Sequence, residues 1–412
     1  MIAASVIGFA VSSANPMGIA LSVVMPAIAM RQSRRRAAYT AGAVYFATAL
    51  WPILPGARNF FGPDASVLVA VRLWAFSFLV LALPWLLIWS PRRGEAIWRA
   101  PVGIALTVVP PLGIIGWASP LIAAGILFPG AAWWGLLLCA VSTGALAVWP
   151  RRAAQVLALV AIACHTSFQA PRTPLDWKAL NTTFGGIAHG NKDPIAEYAA
   201  AQWIQEKALN ATAKVLIFPE TVVPTWTPAT DAFWQQTLDQ LRSSGKTILV
   251  GARLPAMMPL VSIESYNFSA DLAALRGQPS PVAITQSKLG LRPAPFAYDN
   301  ALVIRGADTG AFKQRIPVPI AMWNPLIMAA AHLNLNASGV IALRGERAAV
   351  LICYEQLLTW PVLVSMAHHP TMLIAVANDY WATGTPIAAF QLAAVEAWAR
   401  LFSLPYFSAV NT

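Results

Sequence analysis

The pattern of hydrophobic and polar positions along the chain changes near residue 170. Before this point, apolar residues form long continuous runs, and the polar residues gather in short stretches between them. After it, short apolar runs alternate with amphipathic stretches. Continuous runs of about 20 residues are typical of membrane-spanning helices, whereas the alternation is typical of an α/β domain. The pattern therefore predicts a transmembrane domain over residues 1–170 and a second domain over residues 171–412.

The first domain is predicted to contain six or seven membrane segments. Polar residues and a proline interrupt the first run between Ser12 and Pro16, and Pro129-Gly130 interrupts a later one. Each interruption predicts a broken helix or a short helical pair. The apolar runs cover residues 2–30, 38–55, 66–90, 101–118, 120–149 and 153–169.

The arginines of the first domain predict its orientation. Residues 1–170 contain eleven arginines, no lysine and only two acidic residues, Asp64 and Glu95, so their net charge is +9. Most of the arginines fall in three loops, at residues 31–36, 92–99 and 151–152. Arginine-rich loops of multi-span proteins face the cytoplasm. The second domain is therefore expected outside the bacterial inner membrane, in the periplasm.

The composition supports a membrane protein and argues against several other classes. The chain is 57% hydrophobic and 11% charged, whereas soluble domains carry about 25% charged residues. Its positive charge lies in loops that flank membrane segments, so no basic face for a nucleic acid is predicted. Only Arg72 falls well inside a predicted span, which argues against a transport path. The spacing of the five histidines matches no metal motif, and no nucleotide-binding loop occurs, so no cofactor is predicted.

The second domain alternates strands and helices, which predicts a mixed α/β sheet. Residues 276–296 are predicted to form a long loop. Two hairpins are predicted, one joining residues 299–305 to 311–316 and one joining 338–343 to 347–352. The remaining predicted strands are 177–184, 214–218, 247–252, 371–377 and 405–410, and the predicted helices are 194–210, 231–244 and 385–402, with a further helix after residue 353.

Cys353 is the only cysteine of the second domain, because Cys139 and Cys164 lie in predicted membrane segments. An oxidising compartment favours paired cysteines. An unpaired cysteine at the end of the apolar run AAVLI is therefore either a small buried hydrophobic residue or a residue kept for its chemistry. A helix that begins directly after Cys353 is expected to lower the pKa of its thiol.

Two further residues complete a chemically coherent set with Cys353. Glu220 follows a strand in LIFPET, and Lys313 lies in GAFKQRIPVP. A carboxylate can accept the thiol proton and return it to a leaving group. A lysine ammonium can stabilise the oxyanion of a tetrahedral intermediate. Each residue also has an ordinary interpretation, with Glu220 in a turn and Lys313 as a solvated hairpin residue.

The stretches LIFPET, FKQRIPVP, LICYEQ and VANDYW, in this order, resemble the carbon–nitrogen hydrolase (nitrilase) superfamily. The preceding membrane half is similar to the apolipoprotein N-acyltransferase branch of that superfamily. The resemblance implies a four-layer α–β–β–α sandwich in which Glu220 is the general base, Lys313 the oxyanion stabiliser and Cys353 the nucleophile. It also implies a set of residues that support the site or line its substrate pocket, namely Tyr354, Glu355, Asn378, Asp379 and Trp381.

This sequence differs from the N-acyltransferases in two features, and both narrow the family to which it is similar. The N-acyltransferases carry a supporting glutamate shortly after the lysine, but this chain has no carboxylate between Asp308 and Glu346. The sequence also stops at SAVNT, where that branch continues with further strands and a last membrane helix. Both features resemble the TraB proteins of plasmid conjugal transfer, which look like C-terminally shortened relatives of the branch.

The sequence leaves two functions open. The first is a membrane-embedded amidase or N-acyltransferase that works through a Cys353 thioester in plasmid conjugal transfer. The membrane half beside the site favours a membrane phospholipid as acyl donor, and the acceptor is water, a protein or a small amine. Proteins of the conjugation system are expected as partners. The alternative is a catalytically retired nitrilase-fold scaffold in a conjugation or envelope complex, because the supporting carboxylate is missing.

Overall fold

The computed structural model describes residues 1–62, 67–186, 193–255, 297–324 and 330–412. The predicted loop over residues 276–296 lies outside the described residues. The first half of the chain is helical, and the second half forms two β-sheets with helices on their outer faces.

Ten α-helices form the described part of the first half. The interruptions expected from the sequence are present: α1 ends at Ser12, and the side chain of Asn15 accepts a hydrogen bond from the backbone N–H of Met17 at the start of α2. The helices are α1 Ile2–Ser12, α2 Pro16–Leu21, α3 Val24–Met30, α4 Arg35–Ala49, α5 Ile53–Phe61, α6 Val67–Ile88, α7 Ala96–Val108, α8 Ala123–Leu127, α9 Ala132–Val148 and α10 Pro150–Ser167.

Among the described residues, α6 alone is a single helix long and apolar enough to cross a membrane. The pair α4 and α5, bent by 49°, would add a second span if it is counted as one. The helices α1 and α9 are apolar but shorter than a span. The prediction of six or seven spans is therefore not confirmed. The apolar runs are long enough in sequence, but prolines, glycines and polar residues divide them into short helices.

The second half contains four α-helices and ten strands among its described residues. The helices are α11 Pro194–Asn210, α12 Pro228–Ser243, α13 Thr359–Ala367 and α14 Ile387–Leu401. The strands are β1 Trp177–Ala179, β2 Val215–Ile217, β3 Val223–Thr225, β4 Thr247–Pro255, β5 Tyr298–Gly306, β6 Gly310–Lys313, β7 Val340–Leu343, β8 Glu346–Ile352, β9 Met372–Asn378 and β10 Tyr406–Asn411.

The strands form two mixed sheets. The first has the order β1-β2-β4-β5-β6, with β3 paired to β4, and the second has the order β10-β9-β8-β7. Both predicted hairpins are present, because β5 pairs with β6 and β7 with β8 in antiparallel register. The other pairings, except that of β4 with β5, are parallel.

Four layers result from the way the sheets pack. Alternate side chains of both sheets meet in an inner core, exemplified by Leu302 of β5 and Val350 of β8. The other face of the first sheet packs on α11 and α12, and the other face of the second sheet packs on α13 and α14. The expected α–β–β–α sandwich is therefore confirmed.

The helical half packs against the outer face of α14. Gly125 in α8 makes this approach possible, because a Cβ atom there would lie 1.8 Å from the carbonyl oxygen of Ala397. A second link is the hydrogen bond that the Tyr354 hydroxyl donates to the Ile114 carbonyl, at 2.9 Å. Tyr354 follows Cys353 directly, so the helical half contacts the segment that carries the candidate nucleophile.

Candidate active site

The structure brings Glu220 and Cys353 together from different sheets. Glu220 follows β2, and Cys353 follows β8 directly. Both side chains are buried, and they lie close enough that each shifts the pKa of the other. The side-chain amide of Asn300 donates to Glu220 Oε1 at 2.5 Å, and the backbone N–H of Asn378 donates to Oε2 at 2.9 Å. Glu220 is thus fixed in place near the thiol.

The backbone of Cys353 is strained. Its φ is +47°, in the left-handed region that residues with a side chain rarely adopt. Such a conformation costs about 1–3 kcal/mol and persists only when its surroundings hold it. Here Gln314 Nε2 donates to the Ile352 carbonyl at 2.9 Å, and Gln391 Nε2 donates to the Cys353 carbonyl at 3.1 Å. Strain held at a buried thiol is typical of a functional site.

Burial raises the pKa of the Cys353 thiol well above its usual value, and the charges of Glu220 and Asp379 raise it further. The expectation that a following helix lowers this pKa is therefore wrong. The segment Cys353–Leu357 is one short 3₁₀ helix, and its dipole does not outweigh burial beside two carboxylates. Cys353 thus needs a neighbouring base to lose its proton.

Burial also raises the pKa of Glu220, and the neighbouring Asn300, Cys353 and Asn378 oppose this increase. Burial raises the pKa of Asp379 to about 7, with a smaller contribution from the charge of Glu220. Burial therefore raises the pKa of all three of these neighbouring groups. Such clusters of shifted acids occur at catalytic sites more often than elsewhere.

Lys313 lies on the other side of the first sheet. Leu302 and Ile304 of β5 point into the inner core, whereas Val303 points toward the helices α11 and α12. Lys313 pairs in register with Ala301, which by alternation shares the face of Val303. The described residues contain no ion pair between Lys313 and Glu220.

The ammonium of Lys313 instead pairs with Asp299. Its Nζ lies 2.6 Å from Asp299 Oδ2, and His332 Nδ1 lies 2.9 Å from Asp299 Oδ1. The Lys313 side chain is 57% exposed. The residue that reaches the site from this segment is Gln314, whose Oε1 accepts from Asn300 Nδ2 at 2.9 Å. The structure therefore joins two of the three expected triad residues.

Glu355 lies beneath the Cys353 turn in a buried ion pair with Arg315. Its Oε1 accepts from the backbone N–H of Arg315 at 2.8 Å and from the guanidinium Nε at 3.1 Å. Its Oε2 accepts from the backbone N–H of Ile352 at 3.1 Å. Glu355 thus ties the segment after Lys313, which has no carboxylate of its own, to the turn that carries Cys353. We interpret it as a positioning residue.

An apolar cavity of about 160 Å³ opens beside this turn. Tyr354 and Trp381 line it from the α/β half, and Phe60 and Phe76 line it from the helical half. The ring of Trp381 packs edge-on against Phe60, with 6.0 Å between ring centroids. Both halves of the chain therefore build the cavity next to the candidate nucleophile.

Asn378 and Asp379 end β9 at the site. The Asn378 side-chain oxygen accepts from Asn411 Nδ2 at 2.8 Å, which fixes the orientation of the amide. Asn378 Nδ2 and Asp379 Oδ1 are buried, and no described residue pairs with either atom. One donor and one acceptor thus remain for a polar substrate group.

Sequence reasoning missed three residues of this site. Asn300 and Gln314 form the hydrogen-bond network of Glu220, and Arg315 is the partner of Glu355. The sequence contains a weak signal for Arg315, because it is a charged residue beside the apolar stretch IPVPIAM. A charged residue that is buried in such a stretch is expected to have an ion-pair partner. The sequence contains no comparable signal for Asn300 and Gln314, because neutral amide side chains on adjacent strands are common.

The two-sheet sandwich with its glutamate and cysteine at strand ends has the architecture of a nitrilase-like α/β domain. The chain belongs to the TraB family of conjugal transfer proteins: it is 31% identical over 418 residues to the conjugal transfer protein TraB of Agrobacterium fabrum, covering 95% of this chain and 87% of the relative. It is 27% identical to a probable TraB of Sinorhizobium fredii, covering 100% of this chain and 97% of that one.

More distant similarities extend beyond TraB. An apolipoprotein N-acyltransferase of Verminephrobacter eiseniae is 26% identical over 281 residues, which are 63% of this chain and 46% of that protein. Among solved structures, an amidase from Nesterenkonia sp. AN1 matches with a TM-score of 0.30 at 13% identity, covering 52% of this chain and 68% of the amidase. No protein-family model matches the chain.

Proposed function

We propose that the chain is a membrane-embedded nitrilase-like amidase or N-acyltransferase that acts through an acyl-thioester on Cys353 in plasmid conjugal transfer. The observation that carries the proposal is the burial of the Glu220 carboxylate, fixed by Asn300 and Asn378, beside the strained Cys353. A merely structural cysteine needs neither a carboxylate partner nor a left-handed backbone.

In the proposed reaction, Glu220 accepts the thiol proton while the sulfur attacks the acyl carbonyl. The carbon–sulfur bond forms, the bond to the leaving group breaks, and Glu220 returns the proton to the leaving oxygen or nitrogen. Water or an amine then attacks the thioester and gives its proton to Glu220. The departing thiolate takes that proton back, which restores both residues.

The stabiliser of the oxyanion is proposed to be Lys313, as the family resemblance implies. For this role, its ammonium must leave Asp299, to which it is bound at 2.6 Å, and move to the side of the first sheet on which Glu220 lies. The Lys313 side chain is more than half exposed, so the ion pair itself holds it only weakly. Asn378 Nδ2, buried and without a partner among the described residues, is a second donor near the reacting atoms.

The apolar cavity supports a fatty-acyl donor. Its lining is almost entirely hydrophobic, and Tyr354 of the lining follows Cys353 directly. Burial of each methylene in such a cavity contributes about 0.8 kcal/mol. A membrane phospholipid is therefore the proposed donor, and a protein or small amine the proposed acceptor.

The inner membrane, with the α/β domain in the periplasm, is the proposed location. The arginine-rich loops share one end of the helical half, because Arg31 donates to the Ala147 carbonyl at 2.9 Å and Trp89 Nε1 donates to the Gln32 carbonyl at 3.0 Å. The helix α4 separates this end from the cavity-lining residues of α5. This arrangement supports a cytoplasmic arginine end and an external catalytic site.

The proposal is tested by the intact mass of the detergent-purified protein before and after incubation with phospholipid. A fatty-acyl increment that hydroxylamine removes, and that Cys353→Ser lacks, is the expected result. No increment on the wild-type protein, with the thiol still titratable, would contradict it. That outcome would favour the second candidate, a retired scaffold, which the pairing of Lys313 with Asp299 supports.

A further inference from the structure

A groove lies between α9 and α10, on the outside of the helical half. It has a volume of about 440 Å³. Val141 of α9 and Val156 and Val160 of α10 form its apolar walls, and Trp149 and Arg152 lie at one end. It shares no lining residue with the cavity beside Cys353.

The walls of this groove are more exposed than apolar side chains usually are. Val141 is 42% exposed, Val156 is 59% exposed and the neighbouring Leu159 is 67% exposed. A continuous apolar surface of this kind is stable only when another apolar surface covers it. The groove therefore requires an apolar occupant along its length.

The end of the groove is cationic. Arg151 and Arg152 are exposed, and neither forms an ion pair with a described residue. Arg31 donates to the carbonyl of Ala147, near the end of α9, and so brings the arginines of the 31–36 loop to the same place. The acidic residue described in this half, Glu95, is already paired with Arg92 and Arg99. The end of the groove thus retains an uncompensated positive charge.

From these observations, we infer that the groove between α9 and α10 binds one anionic phospholipid, with its phosphate at Arg151 and Arg152 and an acyl chain along Val156 and Val160. The distance along α10 from Arg152 to Val160 is about 12 Å, which accommodates part of one acyl chain. Trp149, 54% exposed at the boundary, suits the headgroup level of a bilayer.

A free phosphate would use the arginines but not the apolar walls. A zwitterionic lipid would use the walls, but its own cation would oppose the positive charge of the arginines. An anionic phospholipid is the occupant whose chemistry matches both ends. This site is separate from Glu220 and Cys353, so the inference does not depend on the proposed reaction.

The test is a lipid titration of the full detergent-purified chain, followed by native mass spectrometry. Dioleoylphosphatidylglycerol is the anionic probe, and dioleoylphosphatidylcholine with the same acyl chains is the matched control. The wild-type protein should bind the anionic lipid more tightly. Arg152→Gln should weaken that binding about fivefold, because one arginine near an anionic headgroup contributes about that factor.

Two further variants separate the groove from general surface charge. Val156→Trp fills the groove and should weaken the binding of both lipids, and the exposure of Val156 makes the larger side chain tolerable. Arg172→Gln removes an exposed arginine beyond the opposite end of α10 and should change neither affinity. The melting temperature of each variant checks that it is folded.

Three results would overturn the inference. The first is equal affinity of the wild-type protein for the two lipids. The second is unchanged lipid binding by a folded Val156→Trp variant. The third is displacement of the anionic lipid by millimolar inorganic phosphate, which would show that the arginines bind a free anion.

Discussion

Two ion pairs flank the candidate active site, and they differ in almost every property. Arg315 and Glu355 are 2% and 0% exposed, and each makes several further hydrogen bonds. Lys313 lies only two residues earlier, yet its side chain is 57% exposed and bound to Asp299 at 2.6 Å. Both members of the first pair are thus part of the core, whereas the second pair joins an exposed ammonium to the largely buried Asp299.

The difference separates two tasks that the sequence alone could not distinguish. A buried charge that loses its partner is costly, so the Arg315–Glu355 pair is suited to hold the Cys353 turn rigidly. An ion pair with one partner in solvent is weaker, so Lys313 can leave Asp299 at a lower cost than Arg315 can leave Glu355. We therefore expect the first pair to govern stability and the second to govern activity.

The largest expected effect follows from removal of the buried counter-charge. Glu355→Gln leaves the Arg315 guanidinium buried without an anion, and the free energy of unfolding should fall by about 3–5 kcal/mol. Thermal unfolding in detergent, followed by tryptophan fluorescence, measures the loss. The matched control is Arg344→Gln, because the Arg344–Asp308 pair is partly exposed and should contribute less than about 1 kcal/mol. Equal losses of unfolding free energy in the two variants would contradict the proposal that the buried pair contributes more to stability than an exposed pair.

Asp379 is a third carboxylate near the site, and no described residue pairs with its Oδ1. Burial, with the charge of Glu220, raises its pKa to about 7, against an ordinary value of 3.8. Between about pH 4 and pH 7, the unfolded state has lost this proton while the folded state still holds it. The free energy of unfolding therefore falls as pH rises through this window. Asp379→Asn should therefore gain stability over the wild type across this window.

The measurement is the melting temperature of both proteins between pH 4 and pH 8. The difference should grow up to about pH 7 and stay constant above it. A difference that does not change with pH would mean that Asp379 is ionised in the folded protein throughout. In that case, an unseen cation or donor would have to stabilise the carboxylate.

The residue pattern of the second half was sufficient to predict most of its elements. The helix predicted over residues 194–210 has these bounds in the structure, because Asp193 caps it and Pro194 begins it. Both hairpins and the strands that end before Glu220 and Cys353 were also predicted correctly. Residues at the ends of strands in facing sheets meet at one edge, so the Glu220–Cys353 pair follows from the topology.

Other features depended on details that the sequence does not encode locally. The face on which Lys313 lies depends on the register of β6 against β5, and a shift of one residue would exchange Lys313 with Gln314. Hydrophobicity alone also does not give the exact helix bounds at such interruptions, for example that Asn15 caps and Pro16 begins α2. The burial that raises the pKa of Cys353 arises from both sheets together.

A smaller effect is expected from the backbone of Cys353. Cys353→Gly and Cys353→Ala both remove the sulfur, but glycine adopts a φ of +47° without strain. Glycine loses more chain entropy on folding than alanine, which offsets part of this relief of strain. The glycine variant should therefore be about 0.5–1 kcal/mol more stable than the alanine variant. At Ala375, in the middle of β9, glycine should instead be less stable than the native alanine. Thermal unfolding of the three variants tests both signs.

The smallest change in stability, and the sharpest test of the comparison, concerns Lys313. Lys313→Ala should lower the free energy of unfolding by less than about 1 kcal/mol, because the side chain is more than half exposed and its pair with Asp299 is screened by water. If its ammonium stabilises the oxyanion, the same variant should lose thioester formation on Cys353 by about 100-fold or more. The intact-mass assay measures this loss, and the melting temperature measures stability.

Asp299→Asn provides the matched control, because it breaks the same ion pair but keeps the ammonium. Loss of thioester in Lys313→Ala and its retention in Asp299→Asn would assign the chemistry to Lys313, whereas full retention in both would leave the exposed pair without a catalytic role.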